Sequence, residues 1–176
     1  GKPQFISQRS GFVLAGMDGF NYKTQEIQLE PGDAIYLYTD GAASGNPGPG
    51  GWGAVLVCGG YRKEMSGGFR RTTNNRMELS AVIEALKALK EPCSVTLTTD
   101  SQYVVNSVTK GWVYNWQKKN WIKAKNEPVP NKELWQELLP LLKKHEVKFV
   151  WVRGHNGHPE NERCDKLATG SADSDN

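Results

Sequence analysis

Cysteine is scarce in this sequence. Cys58, Cys93 and Cys164 are the only three in 176 residues, scattered, odd in number and without a C-x-x-C pair. Such usage argues against a disulfide framework and a zinc site and fits a reducing compartment, so a cytoplasmic location is expected. Long apolar runs are also missing: none approaches the roughly 20 residues a membrane-spanning helix needs. The N-terminus lacks the basic-then-apolar pattern of a secretory signal, and no membrane partner is expected. Net charge is small as well, +3, which by itself suits almost any partner. Its distribution says more. Residues 1–40 hold three of the 22 Lys/Arg and five of the 19 Asp/Glu, leaving a net +5 for the rest, concentrated in one stretch.

The length allows one ordinary domain plus an appendage. Residues 34–39 read as a buried strand and 40–51 as a Gly/Pro loop. Strands are expected at about 52–58 and 61–69, with Gly59-Gly60 as the hairpin turn. Leu79, Val82, Ile83, Leu86 and Leu89 repeat at helical spacing between Asn75 and Lys90. Val95, Leu97 and Thr99 alternate as a strand ending at Asp100, and Ser101 suits the N-cap of a helix from Gln102 towards Val108. Asn131 is placed to cap a further helix carrying Leu134, Trp135, Leu138 and Leu142, which Pro140 should kink or shorten. A strand at Val147–Val152 and a helix at about 160–170 complete the order. A meander followed by strand–helix alternation predicts an α/β fold: a mixed five-stranded sheet with helices packed on it. The last residues, 171–176, read as a polar, frayed tail.

Four acids have suggestive places. Asp40 and Asp100 end strands, Glu78 lies in the first turn of the long helix, and Asp165 lies in the last helix. Ligands of open sheets gather beyond the carboxyl ends of strands. Any one of these acids alone reads as a cap or a solvated charge. Together they would repel one another unless a divalent cation neutralised them, and hard oxygens suit magnesium or manganese.

The runs Tyr38-Thr-Asp-Gly, Gly45-Asn-Pro-Gly-Pro-Gly-Gly-Trp-Gly-Ala, Thr72-Thr-Asn-Asn-Arg-Met-Glu-Leu, Thr99-Asp-Ser-Gln-Tyr-Val and Trp151-Val-Arg-Gly-His, with His158-Pro-Glu-Asn-Glu-Arg-Cys-Asp after it, resemble bacterial type 1 ribonuclease H. They follow that family's order over residues 34–170, and five such runs together are highly specific. The resemblance implies a ribonuclease H-like fold and a two-ion site (Mg2+ or Mn2+) held by Asp40, Glu78, Asp100 and Asp165. It further implies that His155, in the loop before the last helix, assists proton transfer or product release. The expected activity is endonucleolytic hydrolysis of the RNA strand of an RNA–DNA hybrid, leaving 5′-phosphate and 3′-hydroxyl ends. The family's serine after the first acid and glycine is Ala42 here, which removes a hydroxyl but no metal ligand. The main alternative is a hybrid-binding module without cleavage, against which the intact set of four acids argues.

From Lys110 to Lys125 there is no acid, while Lys110, Lys118, Lys119, Lys123 and Lys125 interleave with Trp112, Trp116 and Trp121. One reading is an amphipathic helix with core tryptophans and a solvated lysine face; Trp112 and Trp116, four apart, share a helix face. The favoured reading is a basic protrusion that holds phosphates, which in the family grips the DNA strand. Amides suit recognition of a 2′-hydroxyl in a shallow minor groove, since each donates and accepts. Asn46, Asn75 and Gln102 match the family's contacts of this kind, and Thr73 and Asn74 match its pocket for a DNA phosphate. Asn46 also reads as a turn residue and Asn74 or Asn75 as a helix cap.

The first forty residues differ in character. Phe12-Val-Leu-Ala-Gly-Met, Glu26-Ile-Gln-Leu-Glu-Pro-Gly-Asp and Ile35-Tyr-Leu-Tyr-Thr-Asp-Gly resemble the C-terminal part of manganese-dependent bacterial serine phosphatases of the sporulation and stress-signalling type. The resemblance implies a chimera spliced at Tyr-Thr-Asp-Gly, with residues 1–33 as an extension. A phosphatase would need further acids and a two-sheet core, so that activity is not expected. In a ribonuclease H fold the first strand is flanked on both sides, so the extension must dock elsewhere, exchange between molecules or stay mobile. A monomer is otherwise expected.

Overall fold

The computed structural model describes residues 34–153 and 159–174. Expectations for residues 1–33 and for His155 lie outside them. Strands β1 (Ile35–Ala43), β2 (Gly48–Cys58) and β3 (Tyr61–Thr72) form the opening meander. Helix α1 (Asn74–Lys87), strand β4 (Ser94–Thr99), helices α2 (Gln102–Thr109), α3 (Trp112–Lys118) and α4 (Lys132–Lys144), strand β5 (Glu146–Trp151) and helix α5 (Pro159–Ser174) follow. The sheet order is β3-β2-β1-β4-β5. The central strand β1 pairs antiparallel with β2 and parallel with β4, and β4 pairs parallel with β5. The mixed five-stranded sheet expected from the sequence is therefore present.

Alternation along β1 buries Ile35, Leu37 and Thr39 on one face. Leu37, Leu56, Leu79, Ile83, Leu86 and Trp135 are among the fully buried side chains of the core. Gly41 of β1 lies against the backbone of α1, whereas Gly53 of β2 lies against α5. Because Gly53 is paired with Asp40, one residue from Gly41, α1 and α5 cover opposite faces of the sheet.

Several boundaries differ from those expected. The Gly/Pro stretch 40–51 is mostly strand: β1 runs on to Ala43 and β2 starts at Gly48, leaving a short turn. Ladder pairing of Ala42 with Gly51 and Ala43 with Gly50 overrides the glycines' weak strand preference. The cap of α1 is Thr73, not Asn74 or Asn75: its extended backbone lets Oγ1 accept from Arg76 N at 3.2 Å. Asn131 precedes α4 but makes no side-chain cap there, because its backbone is left-handed (φ 64) and its amide is engaged elsewhere. Pro140 does not shorten α4. Both Pro140 and Gln136, whose carbonyl loses its usual donor, are exposed, so water can replace the missing bond. The residues read as a frayed tail stay helical as far as Ser174.

Candidate active site

The parallel ladder between β1 and β4 ends at Thr39 paired with Thr99. Asp40, the next residue of β1, and Asp100, which follows β4, are thereby set side by side where the strands part. Beyond Asp100 the chain turns at once into α2: Ser101 Oγ accepts from Val104 N at 3.2 Å, and Ser101 N donates to Thr99 Oγ1 at 3.1 Å. Trp151 at the end of β5 donates Nε1–H to the Asp100 carbonyl at 3.0 Å, fixing that corner from the other side. Glu78 arrives from α1, which Gly41 lets approach β1 closely. One carboxylate oxygen each from Asp40, Glu78 and Asp100 lies within 4.8 Å of the others.

Such a cluster is electrostatically uncomfortable alone. Burial, then the charges of Asp100 and Asp165, push the Asp40 carboxyl up to about 8, against a bond from Gly41 N to Oδ1 at 2.9 Å. Burial and the charges of Asp40 and Asp100 hold the Glu78 carboxyl well above the usual carboxylate range. Glu78 Oε1 is buried with no hydrogen-bond partner. A buried carboxylate with an orphaned oxygen, grouped with two further carboxylates, fits a hard divalent cation, which supplies the missing positive charge and accepts oxygen ligands.

Asp165 is carried by α5 and is half-buried. It lies close enough for its charge to act on Asp40, yet outside the tight cluster of three. The structure thus brings three of the four expected acids together and sets the fourth beside them.

The expected amides lie near these acids along the chain. Asn75 is in the first turn of α1, one turn before Glu78, and Gln102 opens α2 two residues after Asp100; both are exposed. Asn46 occupies the turn between β1 and β2. Asn46, Thr73, Asn74 and Asn75 line one recess of about 590 Å³ together with Ala43, Gly45, Pro130 and Asn131. Asn74 also braces it, Oδ1 accepting from Ala43 N at 2.6 Å. Sequence suggests Asn131 only as a helix cap. Its Oδ1 accepts from Arg76 Nη1 and its Nδ2 donates to Tyr103 Oη, each at 3.2 Å, which holds the amide at the rim. Asparagine tolerates the left-handed backbone required there, but nothing local in the sequence distinguishes that role from capping.

The Trp/Lys stretch forms α3 and the turns after it, a helix missing from the expected order. Lys118, Lys119 and Lys123 are exposed. A second recess, about 440 Å³, is lined by Trp112, Asn115, Trp116, Lys119, Ile122, Lys123 and Ala124. Trp112 and Trp116 do share this side, as their spacing required. Trp112 is 42% exposed, with Lys110 Nζ 5.7 Å from its ring centroid. Trp116 is half-buried and meets Trp135 edge-on at 6.0 Å. Trp121 differs: at 7% exposure it belongs to the core and presents little surface to a ligand. Among the described residues no helix is long and apolar enough to cross a membrane.

Comparison with known proteins decides the family. The profile of the RNase H family matches residues 32–173. The chain belongs to the ribonuclease H family. The ribonuclease H of Nitratidesulfovibrio vulgaris strain Hildenborough is 60% identical over 138 residues, covering 78% of this chain and 88% of that one. That of Oleidesulfovibrio alaskensis is 62% identical over 138 residues, covering 78% and 90%. Among solved structures, LC9-RNase H1, described as a type 1 RNase H with the type 2 active-site motif, superposes with a TM-score of 0.73 at 33% identity, covering 82% of this chain and 74% of that one. LC11-RNase H1, solved in complex with RNA/DNA hybrid, gives 0.60 at 29% identity, covering 80% and 97%. Membership makes this chain an enzyme, a nuclease of a divalent-metal-dependent family. A second profile, stage II sporulation protein E, matches residues 1–54, a minority of the chain that overlaps the first match.

Proposed function

We propose that this ribonuclease H hydrolyses the RNA strand of RNA–DNA hybrids, leaving 5′-phosphate and 3′-hydroxyl ends. Asp40, Glu78, Asp100 and Asp165 would hold two Mg2+ or Mn2+ ions. The observation that carries this reading is the meeting of three buried or half-buried carboxylates within 4.8 Å, with Glu78 Oε1 lacking any partner. Divalent cations bound there supply the positive charge that a phosphodiester hydrolysis needs on its attacking and leaving oxygens. The chain's own residues place the substrate. Asn75 and Gln102, exposed on either side of the acids, are suited to pair with 2′-hydroxyls of the RNA strand. The recess with Thr73, Asn74 and Asn46 is sized and polar enough for a backbone phosphate of the DNA strand. Lys118, Lys119 and Lys123, with Trp112 and Trp116, would extend the grip along that strand. The amides and lysines assigned here to the substrate address its sugars and phosphates, so cleavage should be sequence-tolerant. His155 would assist proton transfer or product release.

Residues 1–33 we read as an extension spliced onto this domain at Tyr38–Gly41; the two profile matches overlap over residues 32–54. The test of the activity is digestion of a hybrid labelled on either strand, with the product ends identified. Cleavage confined to the RNA strand, dependent on added Mg2+ or Mn2+, is expected; binding without cleavage would favour a hybrid-binding module.

A further inference from the structure

Helix α5 meets the sheet closely at Gly53. A methyl built on Gly53 would lie 2.5 Å from the Cys164 carbonyl oxygen and 2.6 Å from Leu167 Cβ. Cys164 and Ala168, one turn apart, are fully buried, and Cys164 Sγ donates to the Tyr38 carbonyl at 3.1 Å. The close contact at Gly53 sets how near the helix comes to the sheet, and the side chains on its two flanks bear on its rotation. Arg163 and Asp165 flank Cys164 in sequence. At roughly 100° per residue they leave that contact on opposite sides, so a rotation that lifts one lowers the other.

On the Arg163 side the helix is tied down. Arg62 and Glu64 are two apart on β3 and share a face. Arg62 Nε and Nη2 donate to Glu160 at 3.1 and 2.7 Å, and Arg62 Nη1 donates to Glu64 at 2.8 Å. Arg163 Nε and Nη2 donate to the two Glu64 oxygens at 2.8 and 2.9 Å. Two of the three links in this Glu160–Arg62–Glu64–Arg163 chain are two-pronged. Isolated exposed ion pairs contribute little, but forked pairs joined in a network are the exception. The Arg163 and Arg62 guanidiniums hold the Glu64 carboxyl down at about 2.

We infer that this four-residue network is a positioning device for Asp165: it sets the rotation of α5, and with it the reach of Asp165 towards Asp40, Glu78 and Asp100. The inference rests on the metal-site reading above. A side chain roughly 5–6 Å from the helix axis moves about 1 Å for a rotation of about 10°, enough to spoil a shared ligand position. Asp165 stands outside the tight cluster, so the three other acids do not fix its approach, and the opposite flank of its own helix does.

For Arg62→Gln, charge alone and positioning give opposite signs. Arg62→Gln removes a cation near an anionic site, which by Coulomb's law leaves metal affinity unchanged or tightens it. Positioning expects Mn2+ binding to the full chain, measured by calorimetry without nucleic acid, to weaken by roughly three- to tenfold, beyond any loss of folded fraction seen by melting in chelator. Glu160→Gln cuts the same link from its other end and should weaken binding likewise, with the double variant no worse than the weaker single. Binding by Arg62→Gln as tight as wild type or tighter overturns the inference and leaves the metal site standing. A wild-type chain that binds no Mn2+ overturns both.

Discussion

Gly41 of the central strand lies against the amide of Glu78: a methyl group on Gly41 would sit 2.5 Å from Glu78 N. The missing side chain lets α1 reach β1 and delivers the Glu78 carboxylate to Asp40. Gly41→Ala must push the helix away. Overpacking of this kind costs about 1–3 kcal/mol. Thermal melts should show that loss, and activity should fall by more than the lost folded fraction explains, because the acids are driven apart. Wild-type activity in Gly41→Ala would mean that this close approach does not set the site.

The same carboxylates make stability depend on pH and metal together. Asp40 sits at about 8 and Glu78 is also raised, against an unfolded value of about 4. A carboxyl whose value is higher in the folded state contributes stability that is complete below about pH 4 and is lost as the pH climbs to about 8. In chelator, wild type should therefore lose stability relative to Asp40→Asn across that window. Metal binding must displace the retained protons, so Mg2+ should raise the melting temperature more at about pH 8 than at about pH 5. Equal shifts at both would contradict the account.

Much of this is legible in the sequence. Leu79, Val82, Ile83 and Leu86 give α1 by period alone, and all four are buried. Gly59, with φ 60, makes the turn that its pairing with Gly60 announces. The four acids are visible through motif order, although only the fold shows that Thr39 pairs with Thr99 and so sets Asp40 beside Asp100. What stays hidden depends on partners distant along the chain. Arg62 and Glu160 are 98 residues apart, and no local pattern joins them. Asn131 looks like a cap until Arg76 and Tyr103 claim its amide. Trp121 looks like its neighbours Trp112 and Trp116, and only packing separates the buried ring from the exposed one.

Replacing Lys118, Lys119 and Lys123 by alanine should weaken hybrid binding and flatten its salt dependence. All three are exposed, so the fold should be unaffected. Each lysine–phosphate pairing removed should reduce the logarithmic salt slope by roughly 0.7–0.9, while the single-turnover rate at saturating enzyme should hardly change. An unchanged slope would make these lysines a solvated face.

Deleting residues 1–32 should leave a folded, active nuclease. The family profile begins at residue 32, and all four proposed metal ligands lie downstream. Phe12, Val13, Leu14, Ile27 and Leu29 are nevertheless apolar enough to need cover. A truncated chain that melts well below the full one and loses activity would place the extension inside the domain.

The most direct test is cleavage of an RNA–DNA hybrid in Mg2+ by wild type, Asp40→Asn and Asp100→Asn, with circular dichroism confirming that each is folded. Wild type should cut the RNA strand alone. Each variant loses one anionic ligand of the carboxylate cluster and should be nearly inactive, whereas His155→Ala should be milder. Substantial turnover by both folded aspartate variants would contradict the assignment of Asp40 and Asp100 to the metal site.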